Sequence, residues 1–421
     1  MNESITVLSQ LDIAEVPGGF PVLFTLLTAE DRQFVAYYDK EHRMTVAARA
    51  LDEDEWQTRV LPEKVGWDNH NYVTIAADRD GYLHLSGNMH VVPLVYFRTM
   101  EPWDITTFER ARMVGKEEGH CTYPNFFYDQ HQKLHFRYRD GGCGDSVDFV
   151  NVYDCDARTW SRLREGPMFD GEKARTAYPG NPILGPDGWF HIVWVWREEP
   201  ECETTHDPGY ARSRDLIDWE TIDGTPIHGP ITFQHRETII DPIPVNAGLI
   251  NGSLSLGFDS RQRPLALYHK FDEHGNTQAY VARFERGAWV PHQLTDWDYR
   301  WEFQGRGGII FRIRLAPLRA HAPGQLAFRF EHAKYGRGLC ILDEDTLERI
   351  EIVPDRFYPE HLCSPQSDDE NMQVWWREDS NAAATAPVRH VLRWETLPHN
   401  RDKKPDVRVL PTSMLRLYTF R

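Results

Sequence analysis

Two imidazoles frame the stretch WDNHNYVTIAADRDGYLHLSGNMH, residues 67–90: His70 near its start and His90 at its end, twenty residues apart. Between them, Asn71–Ala77 mixes β-branched and aromatic residues with small ones, as a strand does. Asp80-Gly81 is a turn signal, and Tyr82–Ser86 reads as the second strand of a hairpin. The start of one antiparallel strand and the end of the next lie at the same sheet edge, so the two imidazoles are expected to meet there. Further along, Tyr123 in CTYPNF and Tyr178 in TAYPGNP stand at matching offsets, and Arg139 and Arg197 close the strands that follow them. Two His, two Tyr and two Arg on one rim suit proton abstraction beside a carboxylate. Guanidinium and imidazole donors stabilise the enolate-like charge. Tyr and His then supply the base and the acid, and a neighbouring guanidinium is expected to favour tyrosinate. A conventional glycosidase needs two facing carboxylic acids instead. Asp68, Asp140 and Asp145 lie near the rim without forming an evident pair.

The residues must be gathered by a repeat. Strand, Gly- or Asp-marked turn, and strand ending in a cation or His recur in GYLHLSGNMH, KLHFRYRDGG, GWFHIVWVWRE, RPLALYHKFD, GQLAFRFEHAKYG and NMQVWWRED. An earlier unit spans 33–61, which makes seven. Units of roughly 50 residues with about four short strands each predict an all-β, seven-bladed β-propeller. It forms a single domain over 1–421, with Val407–Phe420 and Ile5–Ile13 closing the ring. A β-sandwich with an accessory domain is the other reading. Thr346–Ile350 is expected to form one helical turn and His399–Asp406 a charged surface loop. The bland reading of a lone His at a strand end, or of Arg in a repeat, is structural. His84, His135 and His191, in LH or FH dipeptides, are read as core.

The chain has 421 residues, 41% hydrophobic and 12% aromatic, enough for a large core. A formal net charge of −17 argues against nucleic acid as partner. No apolar run is long enough to span a membrane. Six cysteines show no CxxC spacing, and MNESITVLSQLDIAEVPGG carries no signal-peptide pattern. The expectation is a cytoplasmic protein with reduced thiols, or a periplasmic or secreted one if a signal peptide has been removed. No EF-hand spacing or compact Cys/His cluster marks a metal site.

WDNHNYVTIAADRDGYLHLSGNMH, TYPNFFYDQHQKLHFRYRDGG and ARTAYPGNP resemble the BNR-repeat seven-bladed propellers among carbohydrate-active enzymes. That group holds propeller-type ulvan lyases, L-rhamnose-α-1,4-D-glucuronate lyases and related exo-α-L-rhamnosidases. VWVWRE, GYARSRDLIDWE and LALYHK resemble the rhamnosyl-glucuronate branch. The resemblance implies a lyase cleaving the rhamnose–glucuronic acid bond of a uronic-acid-containing oligosaccharide or polysaccharide by β-elimination. It implies that His90 and Arg139 neutralise the carboxylate while His70 and Tyr123 share base and acid work. Tyr178, Arg197 and His206 are implied as substrate contacts. The rhamnosidase branch is thought to use a His on the opposite face, for which His42 in YYDKEHRMTVAAR is the candidate. The resemblance implies no required cofactor, with a structural calcium ion as an option. A non-catalytic glycan-binding propeller is the third alternative.

Overall fold

A computed structural model describes residues 5–381 and 387–421. Residues 1–4 and 382–386, part of the expected single ring, lie outside that range. Seven antiparallel sheets follow one another along the chain as the blades of a propeller. Blade one runs Thr25–Ala29, Arg32–Tyr38, Arg43–Ala50, Gln57–Lys64. In blades two to six the innermost strands are Val73–Ala77, Cys121–Tyr128, Thr176–Pro179, Ser255–Phe258 and Ile313–Leu315. Blade seven is composite: Gln373–Glu378, Arg389–Thr396 and Thr412–Phe420 are completed by the N-terminal strand Val7–Pro17.

The second strand of each blade is sandwiched between neighbouring blades, so both of its faces are covered. That is why Phe190–Arg197, FHIVWVWR, is buried at every position and shows no polar alternation. His84 and His191 occupy equivalent places. His84 bonds Tyr96 Oη at 2.7 Å and faces Asp78; His191 bonds Tyr210 Oη at 2.6 Å and Asp187 at 2.9 Å. His135 is also buried. These three are blade-core residues. Among the described residues the only helical pieces are short 3₁₀ turns. Thr346–Ile350 is not a helical turn: Asp343 accepts from the backbone N–H of Asp345 and Thr346, and a strand resumes at Arg349. An Asx-type turn satisfies those donors locally and leaves nothing to propagate a helix. Among the described residues no helix is long and apolar enough to cross a membrane, and all six cysteines are free.

The segment His90–Val92 leaves blade two and pairs with the innermost strand of blade three, where Thr122 sits opposite His90. One short strand thus ties the two blades together and fixes His90 against the strand that carries Tyr123.

Candidate active site

Asp68 begins the site. It caps the 3₁₀ turn Asn69–Asn71, its Oδ1 accepting from the His70 backbone N–H at 2.9 Å. The same oxygen accepts from His70 Nδ1 at 2.6 Å, and Oδ2 accepts from His90 Nδ1. One carboxylate therefore holds two imidazoles, whose rings stack with centroids 4.2 Å apart. With both Nδ1 atoms donating to Asp68, both Nε2 atoms are left for a ligand. Burial opposes the charge on Asp68, but hydrogen bonds and attraction from the two imidazoles override it and hold the carboxyl far below its ordinary range.

Tyr123 follows on the innermost strand of blade three, at a bulge between Thr122 and Asn125. Its φ of 60° is a left-handed conformation that a bulky residue seldom adopts. The bulge brings its ring 5.8 Å from His70 and 6.1 Å from Tyr178. Arg139 lies over both phenol rings, at 4.9 Å from Tyr123 and 5.7 Å from Tyr178, and Arg197 is 5.6 Å from Tyr178. Arg139 is 2% exposed, yet its Nε and Nη1 have no hydrogen-bond partner. By contrast Arg137, two residues earlier on the same strand, is neutralised by buried Asp148 at 2.6 Å. Burial raises the Tyr123 phenol above its ordinary value and outweighs the opposing pull of Arg139 and Arg197. The expected tyrosinate is thereby corrected: desolvation wins over the guanidinium, and the group rests as a phenol.

These residues line one cavity of about 520 Å³, which holds His70, His90, Tyr123, Arg139, Tyr178 and Arg197 together. His206 is not among its walls. It is held by Glu198 at 2.9 Å and Asp207 at 3.0 Å, with its ring against Phe233. The implied substrate contact is corrected on that ground: two carboxylates claim the ring inside blade four. His42 is corrected as well. It sits at the turn between the second and third strands of blade one, where Nδ1 meets Val65 O at 3.2 Å and the ring lies 4.9 Å from Trp67. Trp67 adjoins Asp68, so His42 lies on the same side of the ring as the cavity, outside its walls, rather than on the opposite face.

The sequence reading gave no role to the far wall. Phe311 and Trp375 flank the Arg314 guanidinium at 5.0 and 5.2 Å, and His399 packs on Trp375 at 5.7 Å. Burial, Arg314 and His70 together push the His399 imidazole down to about 4. His399–Asp406 is a surface loop, as expected, with Asn400, Arg401, Lys403, Lys404 and Asp406 exposed, but it sends one carboxylate inward: Asp402 accepts from Gly308 N–H at 3.0 Å and comes within 3.8 Å of His70 Nδ1. Asp68 was legible as the Asp two residues before His70 in a capping position. No local pattern announces Asp402, because its partners are nearly a hundred and over three hundred residues away.

Among the described residues, one group of metal-ligating side chains converges, Asp68, His70 and His90, with ligand atoms within 4.8 Å of one another. Two ring nitrogens and one carboxylate do not fit calcium, which takes 6–8 oxygen ligands. Both nitrogens already donate to the carboxylate, and no step is derived through a metal.

The sequence profile described as a BNR repeat-containing family member matches residues 32–297. The chain belongs to this BNR repeat family. No curated protein sequence matches it significantly. Among solved structures, the BNR-repeat chain is similar to polysaccharide lyase Uly1, with a TM-score of 0.65 and 12% identity over 98% of this chain and 99% of the other. It is also similar to an ulvan lyase described as a new polysaccharide lyase family, with a TM-score of 0.63 and 14% identity over 97% and 95% of the two chains. An ulvan lyase of the same description, bound to a GlcA(1-4)Rha3S unit, superposes with a TM-score of 0.63 at 13% identity, again over 97% and 95%. These likenesses establish a shared fold over the whole ring.

Proposed function

We propose that this BNR-repeat protein is a polysaccharide lyase that cleaves the L-rhamnose-α-1,4-D-glucuronic acid linkage by β-elimination. The observation that carries the reading is Arg139, a buried guanidinium with unspent donors beside two phenols and no carboxylate of its own. Such a group is built to receive an anion, and a uronate carboxylate brings the acidic C5–H with it. The fold shared with ulvan lyases, one of them bound to a glucuronate–rhamnose unit, supports the same substrate class.

In this reading Arg139 and His90 Nε2 hold the glucuronate carboxylate and stabilise the enolate-like charge. His70, its Nδ1 committed to Asp68, takes the C5 proton at Nε2. Tyr123, resting as a phenol, gives its proton to the glycosidic oxygen as the C4–O bond breaks. The C5–H electron pair becomes the C4=C5 double bond, and rhamnose departs with that oxygen as its anomeric hydroxyl. Tyr178 and Arg197 flank the sugar ring.

Hydrolysis by an acid pair has less support in this cavity. Asp68 is committed to two imidazoles and Asp402 to Gly308. A glycosidase acid needs a raised pKa, and Asp68 is shifted the other way.

The test is incubation with a rhamnosyl-glucuronate oligosaccharide, following rhamnose release and the ultraviolet absorbance of a conjugated unsaturated uronate together. Elimination gives both signals. Rhamnose without the absorbance identifies an exo-α-L-rhamnosidase, and binding without either product identifies a glycan-binding propeller. Arg139→Ala should lower turnover by about 10²–10³-fold, as loss of a preorganised electrostatic contact does.

A further inference from the structure

Blade six has two unlike faces. On one, Leu326, Phe328 and Cys340 meet Leu265 and Val281 of blade five in a single core. The other face carries Arg319, Ala327, Arg329, Leu339, Ile341 and Val353, in register across Arg319–Ala322, Gln325–His332, Gly336–Asp343 and Arg349–Pro354. Among the described residues, none of its apolar side chains joins a core with blade seven. In place of that contact stands a cleft of about 680 Å³, with Ile5, Arg356 and Phe357 among its other walls. It is larger than the catalytic cavity and shares no wall residue with it.

Three arginines line this cleft, Arg319, Arg329 and Arg356. Among the described residues, none of the three guanidinium groups has a hydrogen bond or an ion pair. Arginines at other junctions bond across the gap. Arg98 of blade two donates to Tyr153 Oη and Arg158 O of blade three at 2.9 and 2.7 Å, and Arg283 of blade five to Glu344 O of blade six at 2.8 Å. Arg329 instead lies 3.3 Å from the centre of the Phe357 ring. Arg389, 3.8 Å from the same ring, is satisfied by Glu378 and by Phe357 O. Burial lowers the Arg329 guanidinium from its ordinary value, against the pull of Tyr358, Asp355 and Glu378. Two acids border the cleft. Asp355 is claimed by Arg337 at 3.4 Å and by the Phe357 N–H at 2.9 Å, and Glu351 is exposed. The chain carries 64 acidic residues against 47 Lys and Arg. Three guanidinium groups gathered without a carboxylate partner run against that balance.

From this we infer that the cleft between blades six and seven is a second, non-catalytic site, which binds the uronate groups of an acidic glycan. A guanidinium fork takes a carboxylate bidentately, and the Ala327, Leu339 and Ile341 floor covers the C–H face of a sugar ring. A net charge of −17 repels a polyanion over most of the surface, so such a chain is held where cations stand unneutralised. A polymer held here and in the catalytic cavity gains from both sites. The inference takes only the ligand class from the catalytic reading and needs no chemistry in the cleft.

The experiment isolates the cleft first. Arg139→Ala protein, whose catalytic cavity has lost its anion contact, is titrated by calorimetry with a rhamnosyl-glucuronate polymer and with the same polymer after its carboxyls are reduced to alcohols. Only the acidic polymer should bind. Adding Arg319→Gln and Arg329→Gln should weaken that binding by about tenfold or more, as loss of charge-assisted hydrogen bonds does. In the otherwise unaltered enzyme the same pair should leave kcat and KM for the rhamnosyl-glucuronate disaccharide unchanged and raise KM for the polymer. Arg319→Gln with Arg356→Gln, both at exposed positions, repeats the test if the Arg329 change lowers Tm. Equal polymer binding with and without these arginines, or equal binding of the reduced polymer, would overturn the second site and leave the catalytic reading intact. A dimer in sedimentation that the arginine changes dissolve, with no response to glycan, would make a second copy of the chain the occupant and overturn it too. Polymer binding through the cleft with no turnover of any uronate glycan would overturn the catalytic reading and leave this site standing.

Discussion

At the scale of single residues, the chemistry turns on how two groups share a carboxylate and how a phenol is kept protonated. Asp68 fixes both imidazoles by their Nδ1 atoms. Asp68→Asn retains the volume but offers only one acceptor oxygen, so one imidazole loses its tautomer. Turnover should fall on the order of 10²–10⁴-fold, as when a triad carboxylate is replaced by an amide, with KM much less affected. Steady-state kinetics checks the split, and a pure KM effect would remove Asp68 from the positioning role. Tyr123 carries a second prediction. Burial raises its phenol while Arg139 and Arg197 pull the other way, and burial wins. As a proton donor it should sustain turnover until it ionises, so the alkaline fall in kcat should lie above the ordinary phenol value of about 10. Were Tyr123 the base in its tyrosinate form, kcat would instead climb through that range. Tyr123→Phe should abolish the alkaline limb along with nearly all activity.

At the scale of strands and loops, the limits of sequence reading have physical causes. His70, His90, Tyr123 and Arg139 were legible because each sits within a few residues of a strand end, and repeat register is enough to aim strand ends at one rim. Asp402 was not, because its loop is held by the Arg401 N–H on Gly308 O and by its own carboxylate on Gly308 N–H, contacts that no local pattern encodes. His42 failed for a related reason: its turn was assigned to the wrong side of the ring, and only the Val65 and Trp67 contacts reveal the side. His206 was read as a ligand because Glu198 and Asp207 were not seen as its partners. Strand interiors carry their own prediction. Gly209, in Thr205–Ser213, pairs with Trp194 on the neighbouring strand. A Cβ there would lie 2.4 Å from the buried indole. Phe169, 4.9 Å from the ring, and Trp196 leave it little room to move. Gly209→Ala should therefore destabilise the protein by about 1–3 kcal/mol, the range for overpacking a core. Urea unfolding measures it; an unchanged midpoint would mean that the indole swings clear at no cost.

At the scale of the whole molecule, stability depends on closing the ring and on keeping buried imidazoles neutral. Val7–Pro17 completes blade seven along Thr412–Phe420, and Val16, Leu415 and Leu417 belong to the core shared with blades one to three. Removing residues 1–17 should leave a bare strand edge, prone to aggregation, and cost much of the folding free energy; lowered solubility and a large drop in Tm are the readout. Part of the acid response follows from two histidines outside the cavity walls, to which His399 in the wall adds its own share. His269 is fully buried, donates Nδ1–H to Gly248 O at 2.8 Å and leaves Nε2 without a partner. His332 uses Nδ1 to accept from the backbone N–H of Lys334 and Tyr335 at 2.9 and 3.1 Å, so protonation there would break both bonds. Burial pushes each imidazole down from 6.5 to about 4. Between those values the unfolded chain binds the protons that the folded chain refuses. Stability is therefore complete above the unfolded value of 6.5 and declines as pH falls toward 4, by about 3 kcal/mol for fully buried His269 and by less for His332. Denaturant midpoints measured from pH 7 to pH 4 should fall steadily across that window. His269→Asn, whose amide can still donate to Gly248 O, should flatten the slope by close to one proton. A wild-type profile that stays level down to pH 4 would mean that both imidazoles titrate in the folded protein as they do in the open chain.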